Sequence, residues 1–232
     1  TQTIQHMDKI VEDWKAFLLE YKKGIEIPYQ IYCDMDGVLV DLEEGVEVAL
    51  GLADIEEEVR SKAIQVVHSG IQWQKIKSEP GFKGPVQAIF DVLSEGSYNS
   101  RKHFWANLKF APGAEDLWKM ISQFDPKPII LTAPWSTTTE EGEEVIDRAC
   151  VEGKREWLKR LNPSPKNIII AGTEKGFEGN RSKHRYAGAK NILIDDMEIY
   201  LEPWHAEGGI AIKHTSVGET KKKLKKLDLS IQ

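Results

Sequence analysis

Five short apolar runs recur along the chain: YQIYC at 29–33, KPIIL at 127–131, NIIIA at 167–171, NILI at 191–194 and GIAIK at 209–213. Each is continuous rather than alternating, the pattern of strands covered on both faces. Helical patterns separate them, at 113–123 after a Pro-Gly start, at 140–161, near 182–188 and at 217–227. Strands alternating with helices predict an α/β fold with a doubly wound, mainly parallel sheet. In such a sheet, ligands bind beyond the carboxyl ends of the strands. Asp34, Asp36, Thr132 and Asp195 all fall at such ends.

One interval departs from the alternation. Residues 42–110 lie between the first two runs and carry mostly helical signals, as in IEEEVRSKAIQVVHSG and PVQAIFDVL. A plain crossover needs only about a dozen residues. The expectation is therefore a helical cap, 42–110, inserted into a core made of 29–41 and 111–232. The cap is rich in aromatics (Trp73, Phe82, Phe90, Tyr98, Phe104, Trp105). Most should fill its own core, and one to three should face the cleft. Residues 1–28 read as a helical extension. Ile10, Val11, Trp14, Phe17, Leu18 and Tyr21 form its apolar stripe, which can pack on the sheet domain or on a second subunit of a homodimer.

Composition excludes several classes of protein. With 41% hydrophobic and 29% charged residues, the chain is an ordinary globular one. No run approaches the roughly 18–20 apolar residues of a membrane span. The N-terminus lacks a signal-peptide core, and the two cysteines, Cys33 and Cys150, make no disulfide framework. A cytoplasmic setting is expected. The net charge of −6 argues against a nucleic-acid partner. The basic run KKKLKK, 221–226, reads as the solvated face of a last helix. His68, His103, His184, His205 and His214 have no metal-ligand spacing among themselves.

The first strand ends in DMDG, with Asp34, Asp36 and Gly37. Alone, this is an ordinary acidic turn. Three further signals follow in order: Thr132 directly after IIL, a lysine in NRSKHRYAG, and the pair Asp195–Asp196 after NILI. Together, at strand ends and in this order, they resemble the haloacid-dehalogenase-like phosphohydrolase superfamily across residues 29–215, whose core is a Rossmann-like sheet. The resemblance implies that Asp34 is a nucleophile forming an aspartyl-phosphate. Asp36 would be the general acid, and then the base. Gly37 would permit the tight turn. Thr132, with backbone N–H groups near Ala133, would bind the phosphoryl oxygens. Lys183 would neutralise nucleophile and phosphate, with Lys175 and Lys190 as rivals. Hard oxygen ligands select Mg²⁺, held by the Asp34 carboxylate, the Asp36 carbonyl and one of Asp195 and Asp196.

The stretches CDMDGVLVD, HFWANLKFAPGAEDLW, ILTAPW, KREWLKRL and ILIDD are similar to the 5'(3')-deoxyribonucleotidase family. That resemblance implies a nucleoside monophosphate substrate, with Phe104, Trp105 and, less directly, Trp73 forming a nucleobase pocket. The chain departs from the family where a Thr-Ser pair becomes Thr132–Ala133, in the longer run from Lys183 to the aspartates, and over 136–153. Two alternatives remain. One is a phosphatase acting on nucleic-acid 3'-phosphate ends or on another small phosphomonoester. The other is a nucleotide-binding protein without turnover. The second carboxylate, Asp36, argues against that last reading and against a dehalogenase, since neither needs a proton for a leaving alkoxide. Asp41 needs no function beyond capping a turn.

Overall fold

The computed structural model describes residues 24–69, 76, 79–138 and 143–229. Most of the N-terminal extension and Trp73 lie outside the described residues. The elements in chain order are β1 (Ile25–Glu26), β2 (Gln30–Cys33), α1 (Leu42–Leu52), α2 (Glu57–His68), α3 (Lys83–Ser94), α4 (Tyr98–Asn107), α5 (Ala114–Ile121), β3 (Phe124–Asp125), β4 (Ile129–Thr132), β5 (Ser136–Thr138), β6 (Glu144–Ile146), α6 (Arg148–Leu158), β7 (Asn167–Ile170), β8 (Asn191–Asp195), α7 (Glu198–Ala206), β9 (Ile210–Lys213) and α8 (Val217–Lys225).

All five apolar runs enter one sheet, in the order β7-β4-β2-β8-β9. Every neighbouring pair in it is parallel. Ile31, Cys33, Ile130, Leu131 and Ile192 to Ile194 are buried, which is why these runs carry no polar alternation. From β2 the chain runs outward through β4 to β7, then returns to the other side of β2 at β8. The crevice at the carboxyl ends of β2 and β8 is thus the topological switch point of the sheet. Cys33 is level with Ile130 on one side and Ile194 on the other, so Asp34 emerges level with Asp195 and one residue short of Thr132.

Helices α1 to α4 lie among the described residues between 42 and 107. Asp41 starts α1 by accepting a hydrogen bond from the Glu44 N–H at 3.0 Å. The chain leaves and re-enters the sheet region through one doorway. Val40 bridges Phe110 in antiparallel fashion. The Asp41 N–H donates to Lys109 O at 3.0 Å, and the Ala111 N–H to Leu39 O at 2.9 Å. Helix α4 lies directly on α6. A Cβ at Gly153 of α6 would stand 2.5 Å from Trp105 Cβ and 2.7 Å from Lys102 O, so only glycine allows this approach. Val46, Ile89, Trp105, Leu117, Trp157 and Ile31 consequently share one hydrophobic cluster. A second cluster, of Tyr32, Leu131, Leu193, Leu201 and Trp204, covers the other sheet face.

The expected helix over 140–161 begins only at Arg148. Before it, β5 and β6 pair in antiparallel fashion. Ser136 to Thr138 are small or β-branched and favour extended backbone. Asp147 then caps α6 by accepting from the Ala149 N–H at 2.9 Å. The helical pattern near 182–188 is a single 3₁₀ turn, His184–Tyr186, too short for a packed helix. Among the described residues no helix is long and apolar enough to cross a membrane.

Candidate active site

Asp34 follows β2 directly, and its N–H donates to Ile194 O at 2.9 Å. It is therefore tied to β8, whose end carries Asp195 and Asp196. The next turn is compact: the Leu39 and Val40 N–H groups both donate to Met35 O at 2.8 Å. Gly37 sits inside it at φ +71, where L side chains are strained. A Cβ there would also lie 2.2 Å from Asp196 Oδ2. Glycine at this position is thus required both by backbone conformation and by the acidic loop pressed against it.

Carboxylate oxygens of Asp34, Asp195 and Asp196 lie within 4.8 Å of one another. The charge that holds two of them together is Lys183. Its Nζ is 2.8 Å from Asp34 Oδ1 and 2.7 Å from Asp195 Oδ2, with both side-chain partners essentially out of water. The Tyr200 ring covers the ammonium, with its centroid 4.2 Å away. Burial lowers the Lys183 pKa, but the Asp195 and Asp34 carboxylates overcome this and hold it well above the ordinary lysine value. Lys175 and Lys190, the sequence rivals, are exposed.

A second buried lysine escaped the sequence reading. Lys154 of α6 is 0% exposed; its Nζ contacts Asp36 Oδ2 and donates to Thr132 Oγ1 at 2.9 Å. Its ammonium stands 5.5 Å from the Trp105 ring centroid. A signal was available. Cys150 and Trp157 mark the buried face of α6, and Lys154 lies four residues after one and three before the other. A lysine on an apolar helix face must have a buried partner. Burial pushes the Asp36 carboxyl up despite Lys154; burial also works to lower the Lys154 pKa, but Asp36, Cys150 and Asp34 outweigh it and keep it raised.

The donor set fits a hard divalent cation. Asp36 Oδ1 and Asp196 Oδ1 are buried without a hydrogen-bond partner. Asp34 Oδ1 meets Lys183 at ion-pair distance but outside hydrogen-bond geometry. Both oxygens of Asp195 are engaged, Oδ1 by the Met197 N–H at 2.9 Å and Oδ2 by Lys183. Asp196 is therefore the carboxylate of the pair left free for an ion. Burial pushes Asp195 up to about 7, partly opposed by Lys183, and burial with Asp195 and Asp34 pushes Asp196 up to about 8. A bound cation would reverse both shifts by favouring the ionised forms.

The remaining expected residues divide by burial. Thr132 is fully buried, and because Lys154 donates to its oxygen, its own hydroxyl proton is available to an anion. Ala133 is half-buried beside it. Trp105 is 1% exposed, wedged in the α4–α6 contact, and its Nε1 has no hydrogen-bond partner. Phe104 is half-buried and meets Trp105 edge-on at 5.2 Å. Trp135, which the sequence reading did not select, is half-buried three residues beyond Thr132, 5.1 Å from Phe90.

No family model and no curated protein matches the chain. Among solved structures it is similar to a hydrolase from Streptococcus pneumoniae TIGR4, at 15% identity and a TM-score of 0.47, covering 86% of this chain and 100% of that one. It is also similar to the L-2-haloacid dehalogenase of Xanthobacter autotrophicus, at 13% identity and a TM-score of 0.48, covering 88% and 84%. A third is a HAD-family enzyme from Bacteroides thetaiotaomicron in complex with magnesium and inorganic phosphate, at 13% identity and a TM-score of 0.37, covering 82% and 94%.

Proposed function

We propose that the protein is a Mg²⁺-dependent phosphomonoester hydrolase of the haloacid-dehalogenase-like superfamily, acting on nucleoside monophosphates, deoxyribonucleotides before others. The observation that carries the reading is the position of Asp34. It lies at the switch point between a buried lysine and two carboxylates, with the free Oδ1 of Asp36 two residues on. The ion would be held by Asp34, Asp196 and the Asp36 carbonyl, and would supply charge neutralisation for a dianionic substrate.

Each residue then has a defined task. The Asp34 carboxylate attacks phosphorus; its P–O bond forms as the ester P–O bond breaks. Asp36 gives a proton to the departing oxygen. In the second half, Asp36 takes a proton from the water that attacks phosphorus, and Asp34 leaves, releasing inorganic phosphate. Thr132 and backbone N–H groups at Ala133 receive the phosphoryl oxygens. Lys183 offsets the repulsion between Asp34 and the phosphate, which in a site of low dielectric would amount to several kcal/mol. The helices between 42 and 110 act as the cap that limits access to small substrates. The half-buried ring of Phe104 is the aromatic face offered to a base.

Phosphate release tests this directly. The panel contains deoxyribo- and ribonucleoside monophosphates, sugar phosphates, p-nitrophenyl phosphate and a 3'-phosphorylated oligonucleotide, each with Mg²⁺ or EDTA. The expected ranking places deoxynucleotides first, with no turnover in EDTA. A preference for sugar phosphates or for the oligonucleotide would overturn the substrate, and no release from any ester would overturn the reaction.

A further inference from the structure

The pairing of Lys154 with both Asp36 and Thr132 is not explained by neutralising the nucleophile, because Lys183 does that. Lys154 arises from α6, a helix remote in sequence from both partners. It is buried completely at its only charged end, so the residue is held rather than solvated. Its Nζ occupies Oδ2 of Asp36, while Oδ1 of the same carboxylate stays buried and without a hydrogen-bond partner. The Asp36 side chain is thus pinned by one oxygen with the other left over. The pin is also tied to Thr132 Oγ1 at 2.9 Å.

On this geometry we infer that Lys154 is a positioning residue for proton transfer. It fixes Asp36 so that Oδ1 is the atom that serves the leaving-group oxygen, in register with a phosphoryl group seated on Thr132. The inference rests on the reading of Asp36 as the general acid. It adds that the substrates depending on Lys154 are esters of poorly acidic alcohols, whose oxygen cannot leave without a proton. An ester of an acidic phenol leaves unassisted and does not need the pin. The Trp105 ring centroid lies 5.5 Å from the ammonium, and Cys150 shares its helix face.

The test compares a nucleoside monophosphate with p-nitrophenyl phosphate in wild type, Lys154→Met, Asp36→Asn and the double variant. Lys154→Met is expected to lower kcat on the nucleotide by about 10–100-fold, a fraction of the roughly 10²–10⁴ contributed by a general acid, and on the phenyl ester by only about threefold or less. In the Asp36→Asn background the same substitution should cost about twofold or less, since partners acting as one unit are non-additive. Equal losses on both esters, or a full further loss in the Asp36→Asn background, would overturn the inference and leave Lys154 as a phosphate ligand or a fold residue. Should Lys154→Met not fold, Lys154→Gln supplies the same ratio. The double variant, which leaves no unpaired buried charge, supplies the second comparison. Wild-type turnover on the two esters decides the proposed reaction separately, whatever the variants do.

Discussion

A β-carbon placed on Gly37 would lie 2.2 Å from Asp196 Oδ2. The turn that follows the candidate nucleophile is therefore in direct contact with the acidic loop after β8. These two short segments, distant in sequence, behave as one part of the site. Gly37→Ala should disturb both, through the strained φ of +71 and through displacement of Asp196. The expected result is a Mg²⁺ requirement raised about tenfold or more, together with about 1–3 kcal/mol lost from stability. Mg²⁺ titrations of turnover and a denaturant melt measure the two effects. An unchanged Mg²⁺ requirement would dissociate Asp196 from the ion.

Asp34→Asn keeps the shape of the nucleophile and removes its reactivity. Turnover should fall by at least about a hundredfold, given the roughly 10²–10⁴ usually attributed to one catalytic group, while the melting temperature stays close to wild type. Retention of more than about a hundredth of the rate would refute the nucleophile assignment.

The raised carboxyls make a pH prediction with a definite sign. Asp195 and Asp196 are pushed up to about 7 and about 8, against about 3.9 in an unfolded chain. A group whose folded pKa is raised stabilises the fold below its unfolded value, and that contribution is lost as pH climbs through the folded value. In EDTA the melting temperature should therefore fall from about pH 4 upward, most steeply between the unfolded and the raised values, and level off above about pH 8. Mg²⁺ favours the ionised carboxylates, so its stabilising effect should be larger at about pH 9 than at about pH 6. Melts with and without Mg²⁺ across this range check it, and a Mg²⁺ effect independent of pH would contradict it.

Neighbouring aromatics should separate cleanly. Trp105 is core, so Trp105→Ala should cost about 3–5 kcal/mol of stability and lower turnover on all substrates alike. Phe104 is the half-buried member of the pair. Stacking on a base contributes about 1–3 kcal/mol, so Phe104→Ala should reduce kcat/KM for nucleotides by about tenfold and spare p-nitrophenyl phosphate. Comparable losses on the two esters in Phe104→Ala would remove it from the base site.

What the sequence by itself determined was the sheet and its crevice. Continuous runs such as NILI and NIIIA can be satisfied only where both strand faces are covered, so burial alone dictates a parallel α/β sheet. The polar residues that end those runs must then gather at its carboxyl edge. Asp34, Thr132 and Asp195 could be placed there because each adjoins its own strand, so local order along the chain carries the information. The tertiary structure alone decided what the side chains meet. Ser136 to Thr138 became a strand because Glu144 to Ile146 supply an antiparallel pairing partner. Trp105 became core because Gly153, from another helix, lets α4 settle onto α6. Lys154 joined the site because one face of α6 points at the ends of β2 and β4, and Asp196 rather than Asp195 was left for a cation because Lys183 and the Met197 N–H had already taken both oxygens of Asp195. Spacing along the chain marks Lys154 as lying on a buried helix face, but which groups meet there is settled only by packing and charge pairing in three dimensions.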